Sequence, residues 1–302
     1  MLSVVIPSFN EEGNIALLAQ KIKSLVTEPV EIIFVDDGST DKTLENIKKL
    51  ASRDKSVRYV SFSRNFGHQS ALRAGLAHAK GDAVISMDAD MQHPPELIPK
   101  LVEKWREGYD IVYTVRQNVG SVPRLRKLAN KWFYQGMNYL ADFKIEDGAA
   151  DFRLLDRKVV EIINRLPETQ LFMRGFVSWC GFKQYSIKYV PAERFSGVSK
   201  YPLKKLMAFA INGITQFSVK PLRIATTLGI ASAVTGTLYG LYAIANYFVF
   251  RNTTSGWTSV ILTVLIMGGV QLCILGIIGE YLGKLFMQSK GRPDYIIRED
   301  NI

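Results

Sequence analysis

Two carboxylates one residue apart, Asp88 and Asp90, follow an apolar run at 83–87 that reads as a buried strand. A buried carboxylate is costly unless it is paired, hydrogen-bonded or bound to a cation. Hard divalent ions such as Mg²⁺ and Mn²⁺ prefer oxygen ligands of this kind, together with substrate phosphates. The spacing is therefore compatible with a metal site, but aspartate is also a common turn residue, and the triplet alone favours a simple turn.

A second acidic pair, Asp36 and Asp37, ends another apolar run at 32–35. Strand patterns alternate with helical spacing along this part of the chain, which predicts an α/β fold with a mainly parallel sheet. The predicted strands lie at 2–7, 32–35, 57–62, 83–87 and 110–115. Ligands of such sheets bind outside the carboxyl ends of the strands, so both acidic pairs should face one crevice. This agreement favours the metal site over the turn.

Basic residues mixed with aromatic ones follow the fifth predicted strand, between Arg116 and Tyr134. Such a run is typical of a solvated helix face or of a helix at a membrane interface, where arginine grips phosphate head groups. A second basic stretch at 194–206 is rich in glycine and serine. It fits a mobile segment that closes over phosphates or a plain interdomain linker.

The stretch 148–157 places Asp151 close to Arg153, Asp156 and Arg157. Asp151 is a candidate catalytic base, and an internal salt bridge with Arg153 or Arg157 is an equally ordinary interpretation. The three histidines of the chain, His68, His78 and His93, share no ligand-like spacing. We therefore expect them to be structural or to lie beside the substrate.

Composition excludes several classes of protein. The net charge is +10, but no zinc-finger spacing or RNP-like motif is present, so we expect no nucleic-acid partner. The sequence has neither G-x-G-x-x-G nor a Walker A motif, which argues against a nicotinamide enzyme and a P-loop NTPase. Two cysteines, Cys180 and Cys273, make a disulfide framework improbable. An anionic membrane surface and phosphate-bearing substrates explain the basic charge better.

The C-terminal third predicts a membrane hairpin. Residues 224–250 and 252–279 carry no charged side chain, and each stretch exceeds the roughly 20 apolar residues that span a bilayer. Lysine and arginine flank the pair on both sides, whereas the connecting turn has only Arg251. By the positive-inside rule both ends should be cytoplasmic. The glycines of both spans would permit close packing, including between subunits, so we also expect a homo-oligomer.

Four segments follow from these patterns. We predict a cytosolic α/β domain at 1–200, an amphipathic interface helix at 201–221, a transmembrane hairpin at 222–287 with spans at about 224–250 and 257–283, and a cytoplasmic tail at 288–302.

The combined motifs resemble a known family. They are PSFNEE at 7–12, VDDGSTD at 35–41, DADMQHPPE at 88–96, DFRLLDR at 151–157 and RFSGVSKY at 194–201, followed by the two-span hairpin. Together they resemble the polyprenyl-phosphate glycosyltransferases of glycosyltransferase family 2, which include bactoprenol-phosphate glucosyltransferases and dolichyl-phosphate mannose synthases. The resemblance implies a GT-A fold. The Q-x-x-R-W signature of processive polysaccharide synthases is absent.

The resemblance also implies roles for individual residues. The nucleotide base and ribose would contact Pro7, Phe9, Glu11, Asp36 and Asp37. Asp88 and Asp90, with Gln92, would hold a divalent Mg²⁺ or Mn²⁺ on the donor diphosphate. The donor phosphates would also be covered by Arg194, Ser199 and Lys200, and the lipid phosphate would be gripped by Arg116, Arg126 and Asn130. Asp151 matches the position usually proposed as the base.

The expected reaction is transfer of glucose from a UDP-sugar to undecaprenyl phosphate at the cytoplasmic membrane, with inversion. Alternatives are another sugar, such as N-acetylglucosamine, mannose from GDP-mannose or a modified arabinose, or transfer to a hydroxyl acceptor, which would need Asp151 as a true base. A non-enzymatic alternative is a membrane adaptor with a decayed transferase domain, which the intact acidic pairs disfavour.

Overall fold

The computed structural model describes residues 1–117, 148–168, 172–190, 215, 218–250 and 256–302. The chain divides into two compact units. The N-terminal unit holds the described residues up to 190 together with Arg292–Ile302. The helical unit holds the described residues of Met207–Gly291.

The strands are β1 (Leu2–Ser8), β2 (Val30–Asp36), β3 (Val57–Phe62), β4 (Ala83–Ser86), β5 (Ile111–Arg116), β6 (Ala149–Asp156), β7 (Gln184–Tyr189) and β8 (Ile297–Asp300). The α-helices are α1 (Ile15–Leu25), α2 (Thr43–Arg53), α3 (His68–His78), α4 (Ile98–Arg106), α5 (Arg157–Arg165), α6 (Met173–Trp179), α7 (Lys220–Phe250) and α8 (Trp257–Ser289), and Pro95–Leu97 forms a 3₁₀ turn.

The N-terminal unit is built on one mixed sheet with the strand order β7-β5-β6-β4-β1-β2-β3-β8. β1 lies between β2 and β4 and runs parallel to both, whereas β6 and β8 run antiparallel to their neighbours. The five predicted strands are present, and the predicted α/β class with a mainly parallel sheet is confirmed. After β3 the chain returns to the other side of β1, so a topological switch point lies between β1 and β4.

β1 consists mostly of apolar residues because it lies in the core of the N-terminal unit. All seven of its residues are buried, because helices cover both faces of the sheet. Val4 and Ile6 point to the face that α1 covers and join the main hydrophobic cluster. Val5 points to the opposite face, against α3. A Cβ added at Gly75 of α3 would fall 2.1 Å from Val5 Cγ1, so this helix can approach the sheet only because residue 75 is glycine.

The helical unit contains two helices that are long and apolar enough to cross a membrane, over Lys220–Asn246 and Ser259–Ser289. Their apolar side chains are exposed rather than packed in a protein core. The predicted spans at 224–250 and 257–283 fall within α7 and α8. The two helices contact each other where a Cβ at Gly229 would lie 4.0 Å from Ile274 Cδ1.

The stretch 288–302, predicted as a cytoplasmic tail, contains regular structure. α8 continues to Ser289, and Ile297–Asp300 forms β8, which pairs antiparallel with β3 in the sheet of the N-terminal unit. The alternation of half-buried and exposed residues in β8 is typical of an edge strand and is too polar to stand out in the sequence.

Several predicted segments lie outside the described residues. They comprise most of the basic aromatic run after Arg116, which includes Arg126 and Asn130, the loop that holds Arg194, Ser199 and Lys200, and most of the interface helix at 201–221.

Candidate functional site

The two acidic pairs meet at one edge of the sheet. Asp36 is the last residue of β2, and Asp37 follows it; Asp88 and Asp90 lie just after β4. Since β2 and β4 flank β1 and run parallel to it, their carboxyl ends open on the same side. The crevice at this edge is the predicted place for a ligand, beside the switch point.

The Asp36 and Asp37 side chains are held by a dense set of hydrogen bonds. Asp36 accepts a hydrogen bond of 2.8 Å from the Ser61 hydroxyl on β3. Asp37 accepts from the backbone N–H groups of Phe66, at 2.6 Å, and Gly67, at 3.0 Å. Burial raises the pKa of Asp37 above its ordinary value, and these N–H groups oppose the effect.

The loop after β1 completes this half of the site. Pro7 lies on β1 opposite Val35, and Phe9, which directly follows β1, is 45% exposed. The loop is fixed from the other side, since the Glu11 N–H donates to Thr43 Oγ1 at 2.7 Å and the Glu11 carboxylate accepts from Asn14 at 2.6 Å. The loop therefore presents a fixed backbone and an exposed aromatic ring.

Asp88 is oriented by His93. The Asp88 N–H donates to His93 Nδ1 at 3.1 Å, which leaves the proton of the neutral imidazole on Nε2, 3.6 Å from Asp88 Oδ2. The ring of His93 stacks on Phe152 with centroids 5.3 Å apart. The other carboxylate oxygen, Asp88 Oδ1, is buried and has no hydrogen-bond partner within the described part of the chain. His68 Nε2 lies 3.5 Å from this oxygen.

Asp90 lies at a tight bend. Its carboxylate accepts from the Gln92 N–H at 3.1 Å, and Met91 between them has a φ of 61°, in the left-handed region. The Gln92 side-chain oxygen accepts from the Arg116 guanidinium at 3.4 Å. Asp90, Gln92 and Arg116 are thus linked by hydrogen bonds close to Asp88.

Asp151 lies on β6 between two arginines. Its carboxylate accepts from Arg153 at 2.6 Å and from Arg174 at 2.8 Å and 3.2 Å. Burial alone would raise the pKa of Asp151, but the positive charges of Arg174 and Arg153 outweigh it and hold the pKa well below its ordinary value. Of the two predicted salt bridges, the one with Arg153 is present, whereas the Arg157 guanidinium donates to the Gly81 carbonyl.

Four residues of the site carried no clear signal in the sequence. Arg174 comes from α6, His68 from the start of α3, and Tyr189 from the end of β7. His93 lies within the motif but too close to the aspartates to be assigned. His68 Nε2 is 3.7 Å from Asp151 Oδ2 as well as 3.5 Å from Asp88, so it bridges β4 and β6. Burial raises the pKa of Tyr189 to about 12, so the phenol stays protonated.

The residues present fit a divalent cation. The described residues contain no group of three or more His, Cys, Asp or Glu side chains arranged around one metal position. Two carboxylates, one with a buried oxygen that lacks a hydrogen-bond partner among the described residues, suit an ion that takes its remaining ligands from phosphates and water.

Comparison with known proteins gives the family. The profile of Glycosyl transferase family 2 matches residues 3–163, and that of the GtrB C-terminal hairpin matches residues 220–285. The chain belongs to glycosyl transferase family 2. The family predicted from the motifs is confirmed, and this glycosyltransferase carries both the family's catalytic domain and the hairpin.

Two relatives are similar over almost the whole glycosyltransferase. Bactoprenol glucosyl transferase of Shigella phage SfV is 44% identical over 302 residues, which cover 99% of this chain and 98% of the relative. The prophage bactoprenol glucosyl transferase homolog of Escherichia coli (strain K12) is 42% identical over 300 residues, with 98% of each chain covered. Among solved structures, glucosyl-3-phosphoglycerate synthase from Mycobacterium tuberculosis, in complex with Mn²⁺, UDP and phosphoglyceric acid, matches with a TM-score of 0.48 and 25% identity, covering 71% of this chain and 76% of that one.

Proposed function

We propose that the glycosyltransferase transfers glucose from UDP-glucose to the phosphate of undecaprenyl (bactoprenyl) phosphate, at the cytoplasmic face of the membrane and with inversion at the anomeric carbon. The observation that carries the proposal is the 44% identity, over 99% of the chain, with an enzyme named bactoprenol glucosyl transferase. That similarity includes both the acidic crevice and the hairpin. The relative's name supports glucose and bactoprenol; uridine diphosphate as the carrier comes from the family resemblance.

The donor would bind across β1. The exposed Phe9 ring suits stacking against a nucleobase, and Asp36 and Asp37 suit hydrogen bonds from base and ribose donors. Pro7 and Glu11 would line the same pocket. Arg194, Ser199 and Lys200 remain our candidates for closing over the donor phosphates.

Asp88 and Asp90 would hold the divalent cation, with Gln92 beside them. When bound, that cation would neutralise charge that develops on the leaving diphosphate. Asp90 would count as catalytic for this reason, and His93 would keep Asp88 in position.

The acceptor would be a phosphate, with Arg116, Arg126 and Asn130 as its proposed contacts. A phosphate monoester has a second pKa near about 6 and is largely ionised at neutral pH, so the nucleophile has little proton to lose. The carboxylate of Asp151 is held ionised by two guanidinium groups, which makes it a weak base. We therefore propose that Asp151 positions Arg174 towards the reacting phosphate and does not remove a proton.

The test is a donor and acceptor panel. Purified full-length protein is incubated with Mn²⁺ and either undecaprenyl phosphate or undecaprenol, with UDP-glucose, UDP-N-acetylglucosamine or GDP-mannose as donor. We expect undecaprenyl-phosphate glucose from UDP-glucose alone, with a β-anomer by NMR. A glucosylated undecaprenol would favour the hydroxyl acceptor, and transfer of another sugar would correct the donor.

Two variants control this experiment. Asp90→Ala should lose transfer activity, and full activity would contradict the metal assignment. Glu161→Ala, at an exposed position on α5, should keep the activity of the unmodified protein. Absence of both transfer and sugar-nucleotide hydrolysis in the unmodified protein would favour the adaptor.

A further inference from the structure

The chain that follows α8 returns to the sheet beside the donor half of the site. We call residues 292–302 the C-terminal segment. β8 pairs with β3 so that Glu299 faces Ser61, the residue whose hydroxyl binds Asp36. Asn301 adds two hydrogen bonds to the backbone of Tyr59, one from its N–H at 3.2 Å and one to its side-chain oxygen at 2.6 Å. The segment is therefore firmly attached next to an aspartate of the donor site.

The C-terminal segment also supports the loop that binds Asp37. We call residues 63–67, between β3 and α3, the donor loop. Its first residue, Ser63, donates its N–H to the Ile296 carbonyl at 3.0 Å. Its last two residues, Phe66 and Gly67, donate their N–H groups to Asp37. One end of the loop thus rests on the C-terminal segment and the other holds the carboxylate.

Three aromatic rings in contact connect these two ends. Tyr295 stacks on Phe62 with centroids 4.9 Å apart and planes 14° apart. Phe62 in turn meets Phe66 edge to face, at 5.7 Å. Phe62 is fully buried, so the position of Phe66 depends on a ring that Tyr295 covers from the other side. Aromatic pairs of this geometry contribute free energy beyond the area they bury.

A buried ion pair anchors α3 to the same segment. Arg73 donates to Asp294 at 2.6 Å, and the side chains are only 16% and 8% exposed. Arg73 also donates to the carbonyls of Leu166 and Glu168. α3 begins with His68, directly after the donor loop, so the anchor fixes the helix whose first residue faces Asp88 and Asp151.

From this geometry we propose that the C-terminal segment is a positioning element of the nucleotide site, with Tyr295 and Asp294 as its positioning residues. It fixes the donor loop so that the N–H groups of Phe66 and Gly67 hold Asp37 ready for the nucleotide. The inference rests on the proposed function only in taking the ligand to be a nucleoside diphosphate. The chain that leaves the hairpin thereby contributes to donor binding without touching the donor.

The first experiment measures the donor loop directly. Hydrogen exchange of the full-length protein is followed at the amides of Phe66 and Gly67. In Tyr295→Leu and Asp294→Asn these amides should exchange faster than in the unmodified protein, while β1 stays equally protected. Tyr295→Phe keeps the stack and should exchange at the normal rate. Unchanged exchange at 66–67 in both Tyr295→Leu and Asp294→Asn would overturn the proposal, whether or not the nucleotide has been identified.

The second experiment measures binding of UDP with Mn²⁺ by calorimetry. Tyr295→Leu should raise the Kd about 3- to 10-fold, the range that one aromatic pair is worth, and Tyr295→Phe should restore the normal value. Glu161→Gln, which removes an exposed ion pair with Arg165 on α5 and lies outside the C-terminal segment, is the control and should leave the Kd unchanged. An unchanged Kd in Tyr295→Leu would overturn the proposal.

Different results would contradict the proposed function and the proposed role of the C-terminal segment. If the unmodified protein does not bind UDP, the proposed donor is wrong, and hydrogen exchange at 66–67 still decides the role of the C-terminal segment. A merely structural role of Tyr295 would lower the melting temperature and raise exchange throughout the sheet, β1 included.

Discussion

At the scale of single residues, Asp151 shows how environment selects a role for a carboxylate. A general base needs a pKa near the working pH, because only then is it both ionised and able to accept a proton. Two guanidinium groups instead keep the pKa of Asp151 below its ordinary value, although the side chain is buried. Its interactions suit holding Arg153 and Arg174 in place.

Asp151→Asn should therefore reduce kcat by a factor that does not change between pH 6 and pH 9. Because the pKa of Asp151 in the folded protein lies below the ordinary aspartate pKa of about 4, the carboxylate stays ionised throughout this pH range. Its contribution to the free energy of unfolding is fully present above about pH 4 and is lost as the pH falls through the pKa of the folded protein. The measurement is kcat against pH for the unmodified and variant enzymes. Recovery of the variant at high pH would identify Asp151 as a base.

The same variant should be less stable. Removing one partner of a buried ion pair leaves an uncompensated charge and costs roughly 3–5 kcal/mol. Arg153 is 2% exposed and would be left with its backbone acceptors, such as the Ala150 carbonyl. Glu161→Gln, at an exposed ion pair, serves as the control in thermal unfolding.

His93→Phe should weaken Mn²⁺ binding about 10-fold or more, which is typical for residues that orient metal ligands. Phenylalanine keeps a ring against Phe152 but cannot accept the Asp88 N–H. His93→Asn offers an oxygen near the position of Nδ1 and should restore part of the affinity. Binding is followed by electron paramagnetic resonance of Mn²⁺; equal affinity in His93→Phe would exclude this role.

The sequence was sufficient to predict the four aspartates of the crevice, because each pair follows an apolar strand directly. It was insufficient for Arg174, His68 and Tyr189. These residues reach the site only through the packing of α6, α3 and β7, and nothing in the local sequence distinguishes them from surface or core residues. The salt-bridge partner of Asp151 was ambiguous for the same reason.

At the scale of elements, the contact between α3 and β1 controls the position of His68. Gly75 lies where the helix comes closest to the sheet, and a Cβ there would meet Val5 at 2.1 Å and Val35 at 3.2 Å. Any side chain at this position must push the helix away or distort the strands.

Gly75→Ala should lower the free energy of unfolding by about 1–3 kcal/mol, the usual cost of overpacking a filled core. Gly13→Ala is the matched control, since a Cβ at Gly13 meets nothing within 4 Å. Thermal unfolding in detergent provides the comparison. Equal melting temperatures for the two variants would mean that α3 can shift without cost.

Strands β1 to β5 were predictable from their apolar residues, and three others were not. In β7 only Ile187 and Tyr189 are buried, so its apolar pattern is too short to stand out. β6 contains Asp151 and Arg153, whose charges are buried because they pair with each other, and so it lacks the pattern of a core strand. β8 is an edge strand in which half-buried residues alternate with exposed ones and none is fully buried. The apolar periodicity of a sequence reveals strands whose apolar side chains are buried. It does not reveal strands that are held by ion pairs or by backbone hydrogen bonds.

At the scale of the whole molecule, the return of the chain to the sheet constrains the membrane topology. β1 to β7 precede α7 and α8, and β8 follows them, yet all eight strands belong to one sheet. If α7 and α8 cross the membrane, β8 and the strands that precede α7 must therefore lie on the same side of it. The same orientation was predicted from the distribution of lysine and arginine.

A reporter that is active only in the cytoplasm, fused after Ile302, should be active in cells. The physical reason is that β8 cannot pair with β3 across a bilayer. A fusion within residues 251–255 is the control and should be inactive. An inactive reporter after Ile302 would contradict the proposed cytoplasmic site.

The pairing of β8 with β3 also determines when the sheet can be completed during synthesis of the chain. Because residues 297–300 leave the ribosome only after both long helices, the sheet stays one strand short until the hairpin has been made. On the proposed role of the C-terminal segment, a nascent chain would bind the sugar nucleotide poorly until then. Donor binding would thus mature only after the hairpin has been synthesised.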